Sequence, residues 1–160
     1  MKDSFNPTRF NPEQWAQAAK AAGMRYAIFT TKHHDGFNMF NTAYSDFSIS
    51  KGPFKTNPRA DVAKYVFEAF RNNDLMVGAY FSKPDWHSEY YWWPRYATPR
   101  RTQNYNIEKN PWRWNQFKEF TYNQISELMH NYGSIDILWL DGGWVNNPGT
   151  QSVLDMDRIS

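Results

Sequence analysis

The sequence has no cysteine, and no stretch of its 160 residues approaches the length of a membrane span. The first absence excludes disulfides, a thiolate nucleophile and cysteine-bound zinc. The second excludes a transmembrane helix, which needs about 18 consecutive apolar residues. The chain also has little excess charge of either sign. Its formal net charge of +2 gives no strong electrostatic field that would attract nucleic acid. Residues 1–4 do not resemble a signal peptide, so the sequence leaves the compartment open.

The chain is instead rich in aromatic residues, which make up 19% of it and include 8 Trp. Tryptophan and tyrosine in such number commonly line surfaces that stack on sugars, nucleic-acid bases or partner proteins. A length of 160 residues suffices for one core but is too short for a closed eight-stranded α/β barrel, which takes roughly 250 residues. We treat residues 1–160 as a single domain.

The predicted elements follow the order helix then strand, repeated three times. Helices are predicted to begin at two Asn-Pro pairs, where proline suits the first turn, and at Asp61. Each helix is followed by a short apolar run typical of a strand, at residues 24–31, 75–81 and 134–140. Long loops follow the strands and short loops precede them, which implies parallel strands joined by right-handed crossovers. The predicted fold class is therefore α/β, built from parallel (β/α) units.

The third predicted strand is the most informative stretch. Residues 134–140 are almost wholly apolar, β-branched or aromatic, which predicts a strand buried on both faces of a parallel sheet. The run ends at Asp141, which two glycines and Trp144 follow. Because chemistry in α/β proteins is done at the carboxyl ends of parallel strands, Asp141 is the leading candidate for a reactive group. The alternative is an ordinary turn in which the aspartate binds its own backbone.

Polar residues also follow the other two predicted strands. His33 and His34 come after the first, and Tyr80 lies at the end of the second. Strand ends converge on one face of a (β/α) barrel, so we expect these residues and Asp141 to meet in one pocket. Trp139 lies two residues before Asp141 and therefore faces the same side, where its indole could contact a sugar or fill the barrel core.

The adjacent histidines raise the question of a metal ion. Neighbouring residues of a strand point in opposite directions, so His33 and His34 suit one metal ion poorly unless the strand has ended before them. No other histidine lies at a ligand-like spacing, and we predict no metal. Imidazoles that exchange hydrogen bonds with the hydroxyls of a polar ligand fit better, although they could also be satisfied within a loop. With a carboxylate and tryptophans, they point to glycoside hydrolysis, in which a carboxylate attacks the anomeric carbon and a second acid protonates the leaving oxygen.

Four stretches of the chain resemble a known family. The most specific is Lys-His-His-Asp-Gly-Phe at residues 32–37, and Leu-Trp-Leu-Asp-Gly at 138–142 adds to it. Residues 78–82 and the helical segment 15–23 agree with the family in order and spacing. Over nearly its whole length the chain is similar to the catalytic barrel of the α-L-fucosidases of glycoside hydrolase family 29.

The resemblance implies a retaining exo-glycosidase that removes terminal α-L-fucose from glycoconjugates through a covalent intermediate, without metal or organic cofactor. By position, Asp141 matches the nucleophile of the family. His33 and His34 match a pair that hydrogen-bonds fucose hydroxyls. Tyr80 matches a tyrosine of the sugar pocket, and Trp139 matches an aromatic residue that meets the methyl side of fucose. The resemblance also implies secretion or a periplasmic location, with a fucosylated oligosaccharide as the partner.

Two parts of the family pattern have no match in the chain. No strand with a further sugar-binding histidine precedes Phe5, and the family's acid/base carboxylate comes from a segment beyond the nucleophile strand. We therefore expect an incomplete barrel, roughly its second to fourth strand units, that holds the nucleophile without a competent active site. Open strand edges would make such a chain prone to aggregation. Four carboxyl groups within the chain could be tried as the acid/base: Asp35, Asp46, Asp85 and Glu89. Asp85, which follows the adjacent strand, is the first of them to try.

Two other interpretations stay open. The chain could bind carbohydrate without turnover, using the same histidines and aromatic residues. Alternatively, aromatic and arginine residues interleave at 90–113, where bases of a single-stranded nucleic acid could stack, although the small net charge argues against it. Substitution of Asp141 by asparagine tests the first interpretation, and the salt dependence of binding tests the second.

Overall fold

The computed structural model describes residues 2–94, 102–145 and 153–159. Helices and strands alternate in the predicted order, and two short 3₁₀ helices, Ile49–Lys51 and Pro53–Thr56, lie in the long loop after the first strand. The elements are α1 (Pro12–Ala21), β1 (Tyr26–Lys32), α2 (Val62–Asn72), β2 (Met76–Ser82), α3 (Pro111–Asn131), β3 (Ile137–Asp141) and α4 (Met156–Ile159). In these described parts, no helix has the length and apolar character that crossing a membrane requires.

The three strands form one parallel sheet in the order β1-β2-β3. Parallel pairing is the arrangement predicted from long loops after the strands and short loops before them. The cap residues act as predicted at the first helix, where Asn11 accepts a hydrogen bond from the Gln14 backbone at 3.2 Å. Pro12 and Pro111 occupy the first turns of α1 and α3. The observed architecture is a small three-stranded α/β unit.

The main core lies between the helices and one face of the sheet. β2 supplies Val77, Ala79 and Phe81 to this core, and α2 supplies Phe67. All four side chains are fully buried. Burial of a large apolar side chain stabilises a fold by about 1.5–3 kcal/mol, so this face holds the sheet and the helices together. Because side chains alternate along a strand, Tyr80 points to the opposite face.

The prediction that residues 134–140 form a strand buried on both faces is wrong. β3 is only partly buried, and Trp139 is 54% exposed. In the described sheet, β3 lies at an edge and pairs with β2 alone. The sheet face that carries Trp139 also carries Tyr26 and Met76, which are about half exposed. Apolar residues make a strand suitable for burial, whereas the elements that cover it decide whether it is buried.

Candidate active site

The ends of the three strands bring a carboxylate, a phenol and two imidazoles together. Asp141 is the last residue of β3, and its backbone lies opposite Ser82 of β2. The hydroxyl of Tyr80 donates a hydrogen bond to Asp141 Oδ2. His34 Nε2 lies 3.4 Å from the same oxygen. The structure therefore brings these groups into one place, as the positions of the strand ends predict.

A one-residue irregularity in β1 turns the first histidine toward this group. Thr30 lies opposite Tyr80, and after one extra residue Lys32 lies opposite the next residue of β2. Such a bulge changes which face the following side chains occupy. Lys32 consequently lies in the core. His33 lies on the side of Tyr80, and the two rings stack with their centroids 5.8 Å apart.

The two histidines lie side by side because β1 ends just before them. Their ring centroids are 4.3 Å apart. Trp86 and Trp144 flank His34, with ring centroids at 5.3 and 5.1 Å, and the Trp86 backbone N–H donates to the His34 carbonyl at 2.7 Å. His34 is buried, whereas His33 is exposed. One imidazole is thus held among aromatic rings, and the other is open to a ligand from solvent.

The carboxylate of Asp141 is held in its ionised form. The hydrogen bond from the Tyr80 hydroxyl lowers the pKa of Asp141 below its ordinary value; desolvation opposes this effect, and the Gly142 backbone and the histidines support it. Burial, and then the neighbouring carboxylate, raises the pKa of Tyr80, so the phenol stays protonated and keeps donating. The pair presents an anionic oxygen at the end of β3, which is what a carboxylate nucleophile requires.

Lys83 is a further charged residue beside this carboxylate, and the sequence does not single it out. Its backbone N–H donates to the Asp141 carbonyl oxygen at 3.0 Å. Burial lowers the pKa of the Lys83 ammonium, and attraction to the Asp141 carboxylate opposes that change. The available signal was its position directly after a strand that ends near the site.

Trp139 lies two residues before Asp141 and opposite Tyr80 in the sheet register. Its side chain is 54% exposed, so the indole is accessible to a ligand that approaches Asp141 from the open face. The structure places Trp139 on the expected face of β3. Its contact with the methyl side of a sugar stays a prediction.

His33, His34 and Asp141 form a group of described residues that could hold a metal ion. One ligand atom from each lies within 4.8 Å of the others. Two imidazoles and a carboxylate are a common ligand set for zinc. Adjacent histidines suit one metal ion poorly only while the strand continues, and β1 ends at Lys32, just before them. Asp141 Oδ2 already accepts a hydrogen bond from Tyr80, which a metal ion at this oxygen would have to displace. A site without metal stays our prediction.

Asp85 does not fit the acid/base role that its position after β2 suggests. Its side chain is 2% exposed, and its Oδ2 lies 3.1 Å from Lys32 Nζ. Its Oδ1 accepts hydrogen bonds from the backbone of His87 and Ser88. An acid catalyst must reach the leaving group of the substrate, and this carboxylate is enclosed by the protein. Sequence alone does not reveal the pair, because a lysine at a strand end is usually exposed.

In the described part of segment 90–113, several aromatic rings pack against the protein, whereas Trp112 is 55% exposed. Residues 95–101, with their three arginines, lie outside the described residues. Tyr91 and Arg113 are buried, and the Arg113 guanidinium lies 4.5 Å from the centre of the Trp93 ring. Tyr91 also packs on Phe117 of α3, with ring centroids 4.9 Å apart. These contacts occupy ring faces that base stacking would need, which weighs against nucleic-acid binding.

Comparisons with known proteins agree on one family. A family model described as Alpha-L-fucosidase matches residues 1–158. The chain is 34% identical over 138 residues to Alpha-L-fucosidase 1 of Arabidopsis thaliana. That match covers 86% of this chain and 23% of the plant protein. The chain spans about a quarter of the length of the curated relatives it matches.

Solved structures show the same similarity. Alpha-L-fucosidase isoenzyme 1 from Paenibacillus thiaminolyticus is 38% identical, with a TM-score of 0.73, over 88% of this chain and 32% of that chain. A glycoside hydrolase family 29 α-L-fucosidase from Bacteroides thetaiotaomicron is 30% identical, also with a TM-score of 0.73. That match covers 89% of this chain and 30% of the bacterial chain, which was solved as a covalent intermediate trapped with 2-fluoro-fucosyl fluoride in a Glu-to-Gln mutant.

Proposed function

This chain belongs to the α-L-fucosidase family, and we propose that it forms the part of a retaining α-L-fucosidase that holds terminal α-L-fucose and supplies the nucleophile. One observation carries the proposal: the Asp141 carboxylate lies at a strand end, where it accepts a hydrogen bond from the Tyr80 hydroxyl and lies 3.4 Å from His34 Nε2. A carboxylate nucleophile must be anionic and fixed in direction. The hydrogen bond from Tyr80 supports both conditions.

The reaction proceeds in two steps. An oxygen of Asp141 attacks the anomeric carbon of fucose, the bond from that carbon to the leaving oxygen breaks, and a second acid gives the leaving oxygen a proton. Water then attacks the same carbon, the ester to Asp141 breaks, and the second residue takes a proton from the water. Each step inverts the carbon, so the product keeps the original configuration. Tyr80 contributes by keeping Asp141 ionised and oriented before the attack.

Sugar recognition in this proposal comes from residues beside the nucleophile. His33 and His34 offer ring nitrogens that give or accept hydrogen bonds with sugar hydroxyls. Their ligand atoms lie within 4.8 Å of an Asp141 oxygen, a spacing that suits a ring whose anomeric carbon meets Asp141. Trp139, exposed on the same strand face, supplies an apolar wall for the methyl group of fucose.

We assign the three (β/α) units to the second to fourth positions of an eight-stranded barrel, with the whole chain in one catalytic domain. Tyr26, Met76 and Trp139 are about half exposed on the sheet face that the helices leave open. In a closed barrel this is the inner face, which neighbouring strands would cover. The acid/base carboxylate then belongs to another part of the barrel, because a retaining pair lies about 5–5.5 Å apart and Asp85 is buried in an ion pair.

Chemical rescue tests the assignment of Asp141. We expect Asp141→Gly to slow the cleavage of an aryl α-L-fucoside, whose leaving group needs no protonation, by about a thousandfold or more. Azide should restore cleavage and yield fucosyl azide of inverted configuration, since the anion enters where the carboxylate was. Asp74→Asn is the matched control, because the Asp74 side chain is 85% exposed.

The alternative is carbohydrate binding without turnover. It predicts that Asp141→Gly leaves both sugar binding and any activity unchanged, with no azide product. The hydrolase proposal predicts loss of turnover and formation of the inverted azide. The same pair of proteins therefore separates the two functions.

A further inference from the structure

We propose that the buried side chain of Lys32 is a positioning residue, which holds His33 and His34 beside Asp141 without touching substrate. It acts through a set of side chains that we call the Lys32 network: Lys32, Asp85, Gln124 and Asn38. The kinetic part of this inference rests on the proposed function. Its structural part, the placement of the two imidazoles, concerns the chain itself.

The Lys32 network is a continuous run of buried polar contacts. Lys32 Nζ lies 3.1 Å from Asp85 Oδ2 and donates to Gln124 Oε1, also at 3.1 Å. Gln124 Nε2 donates in turn to Asn38 Oδ1 at 3.0 Å. All four residues are buried, each with at most 1% of its surface exposed. The Phe81 ring packs against the Lys32 ammonium, with its centre 4.1 Å from Nζ.

The network holds both ends of the loop that carries His33 and His34. Lys32 immediately precedes the histidines, and Asn38 follows four residues after His34. The Asn38 side chain donates to the carbonyl oxygens of Gly36 at 2.9 Å and Phe47 at 3.0 Å. Because Gln124 lies on α3, both ends of the loop are attached to the same rigid helix.

Asp85 fixes the neighbouring loop to the same network. Its Oδ1 accepts backbone hydrogen bonds from His87 at 3.0 Å and Ser88 at 2.9 Å. Trp86 directly precedes these two residues, and its backbone N–H donates to the His34 carbonyl oxygen at 2.7 Å. One carboxylate therefore orders the segment that in turn holds His34.

Directional contacts are the main contribution of such a pair. Burial lowers the pKa of the Lys32 ammonium, and the Asp85 carboxylate opposes this change. A buried ion pair often adds little stability compared with apolar side chains of similar volume. It differs from them in fixing the distance and direction between the groups it joins. Here those groups are the loops after β1 and β2, which carry the site.

The test removes the charges while keeping the volume. Lys32→Met/Asp85→Asn leaves no unpaired charge, and the asparagine oxygen still accepts from His87 and Ser88. The matched control makes the same two changes in the exposed Lys20–Asp74 pair, as Lys20→Met/Asp74→Asn; its atoms are 2.8 Å apart and its side chains 53% and 85% exposed. Exposed pairs contribute little, so the control should behave as the unmodified chain.

Two readouts apply to each protein. The first is the set of imidazole nitrogen and proton resonances, which is simple because the chain has 4 His. The second is the rate at which 2-fluoro-fucosyl fluoride labels Asp141. In Lys32→Met/Asp85→Asn we expect His33 and His34 resonances to shift. The resonances of His130, which is exposed and hydrogen-bonded to Ser126, should not shift. We expect labelling to slow by about tenfold to a hundredfold, the range that a displacement of about 1 Å produces.

A second variant guards against misfolding. Gln124→Met removes the contacts to Lys32 and Asn38 but keeps the ion pair, and it should shift the same two histidines. Folded variants whose His33 and His34 resonances match the unmodified chain would overturn the inference, whatever the labelling rate. If the unmodified chain is not labelled, the proposed function fails for this chain, and the resonances still decide the positioning role.

Discussion

Gly36 offers a sharp test of how tightly the two loops at the site contact each other. Its φ is +81°, and a Cβ at this position would lie 2.3 Å from Asp85 Oδ1 and 2.7 Å from His87 Cβ. Gly36→Ala therefore meets two penalties. The left-handed backbone costs a residue with a side chain about 1–2 kcal/mol. Crowding in a packed interior costs about 1–3 kcal/mol more. We expect the free energy of unfolding to fall by about 2–5 kcal/mol.

Two other glycines separate these penalties. Gly23 has a φ of +77°, but a Cβ there meets no atom within 4 Å, so Gly23→Ala should cost only the backbone strain of about 1–2 kcal/mol. A Cβ at Gly143 also meets no atom within 4 Å, and Gly143 is not among the positive-φ glycines. Gly143→Ala should change the stability by no more than about 0.5 kcal/mol.

Urea unfolding, monitored by tryptophan fluorescence, measures the stability of all three variants under one set of conditions. The midpoint and slope of each transition give the free energy of unfolding and show whether the exposed surface has changed. If Gly36→Ala costs no more than Gly23→Ala, the loop moves away from Asp85 without penalty. The close contact between the loops after β1 and β2 would then not constrain the site.

Four further predictions concern the site and the core. Tyr80→Phe removes the hydrogen bond that lowers the pKa of Asp141, so the pKa rises and the acidic limb of the labelling rate against pH should move to higher pH; an unmoved limb would show that the phenol does not tune the carboxylate. A chelator should leave the labelling rate unchanged, since we predict no metal, and loss of labelling that added zinc restores would contradict this. Trp139→Ala should weaken fucose binding about tenfold, or 1.4 kcal/mol, with little change in stability because the residue is 54% exposed. Phe67→Ala, at a fully buried residue, should instead cost about 3–5 kcal/mol of stability, and the opposite pattern for these two variants would mean that the open face is misassigned.

The strands and their order were accessible from sequence because local signals determine them. Apolar runs between helix caps and turn residues predicted three strands, and observed strands lie at Tyr26–Lys32, Met76–Ser82 and Ile137–Asp141. Loop lengths predicted parallel pairing, and parallel strand ends necessarily meet at one edge. That is why the meeting of Asp141 with Tyr80 could be anticipated from residues 61 positions apart.

Other features depend on pairing between segments and have no local signal. The bulge that places Lys32 in the core is a shift of one residue against β2, and no residue type in β1 predicts it. The ion pair of Asp85 depends on the burial of Lys32, which also contacts Gln124 of α3. The exposure of Trp139 depends on what covers β3, which the composition of that strand does not encode. To predict any of these three features, one must know which segments of the chain pack against each other.

The most direct measurement is intact mass spectrometry after incubation with 2-fluoro-fucosyl fluoride, followed by peptide mapping. Fluoride leaves without a proton from an acid, and the fluorine at carbon 2 slows breakdown of the ester, so the reagent reports on the nucleophile alone. Our account predicts one fucosyl adduct, on the peptide that contains Asp141, and none in Asp141→Asn. An adduct on a different carboxylate, or no adduct on a folded chain, would contradict the claim that Asp141 is a nucleophile in an assembled sugar site.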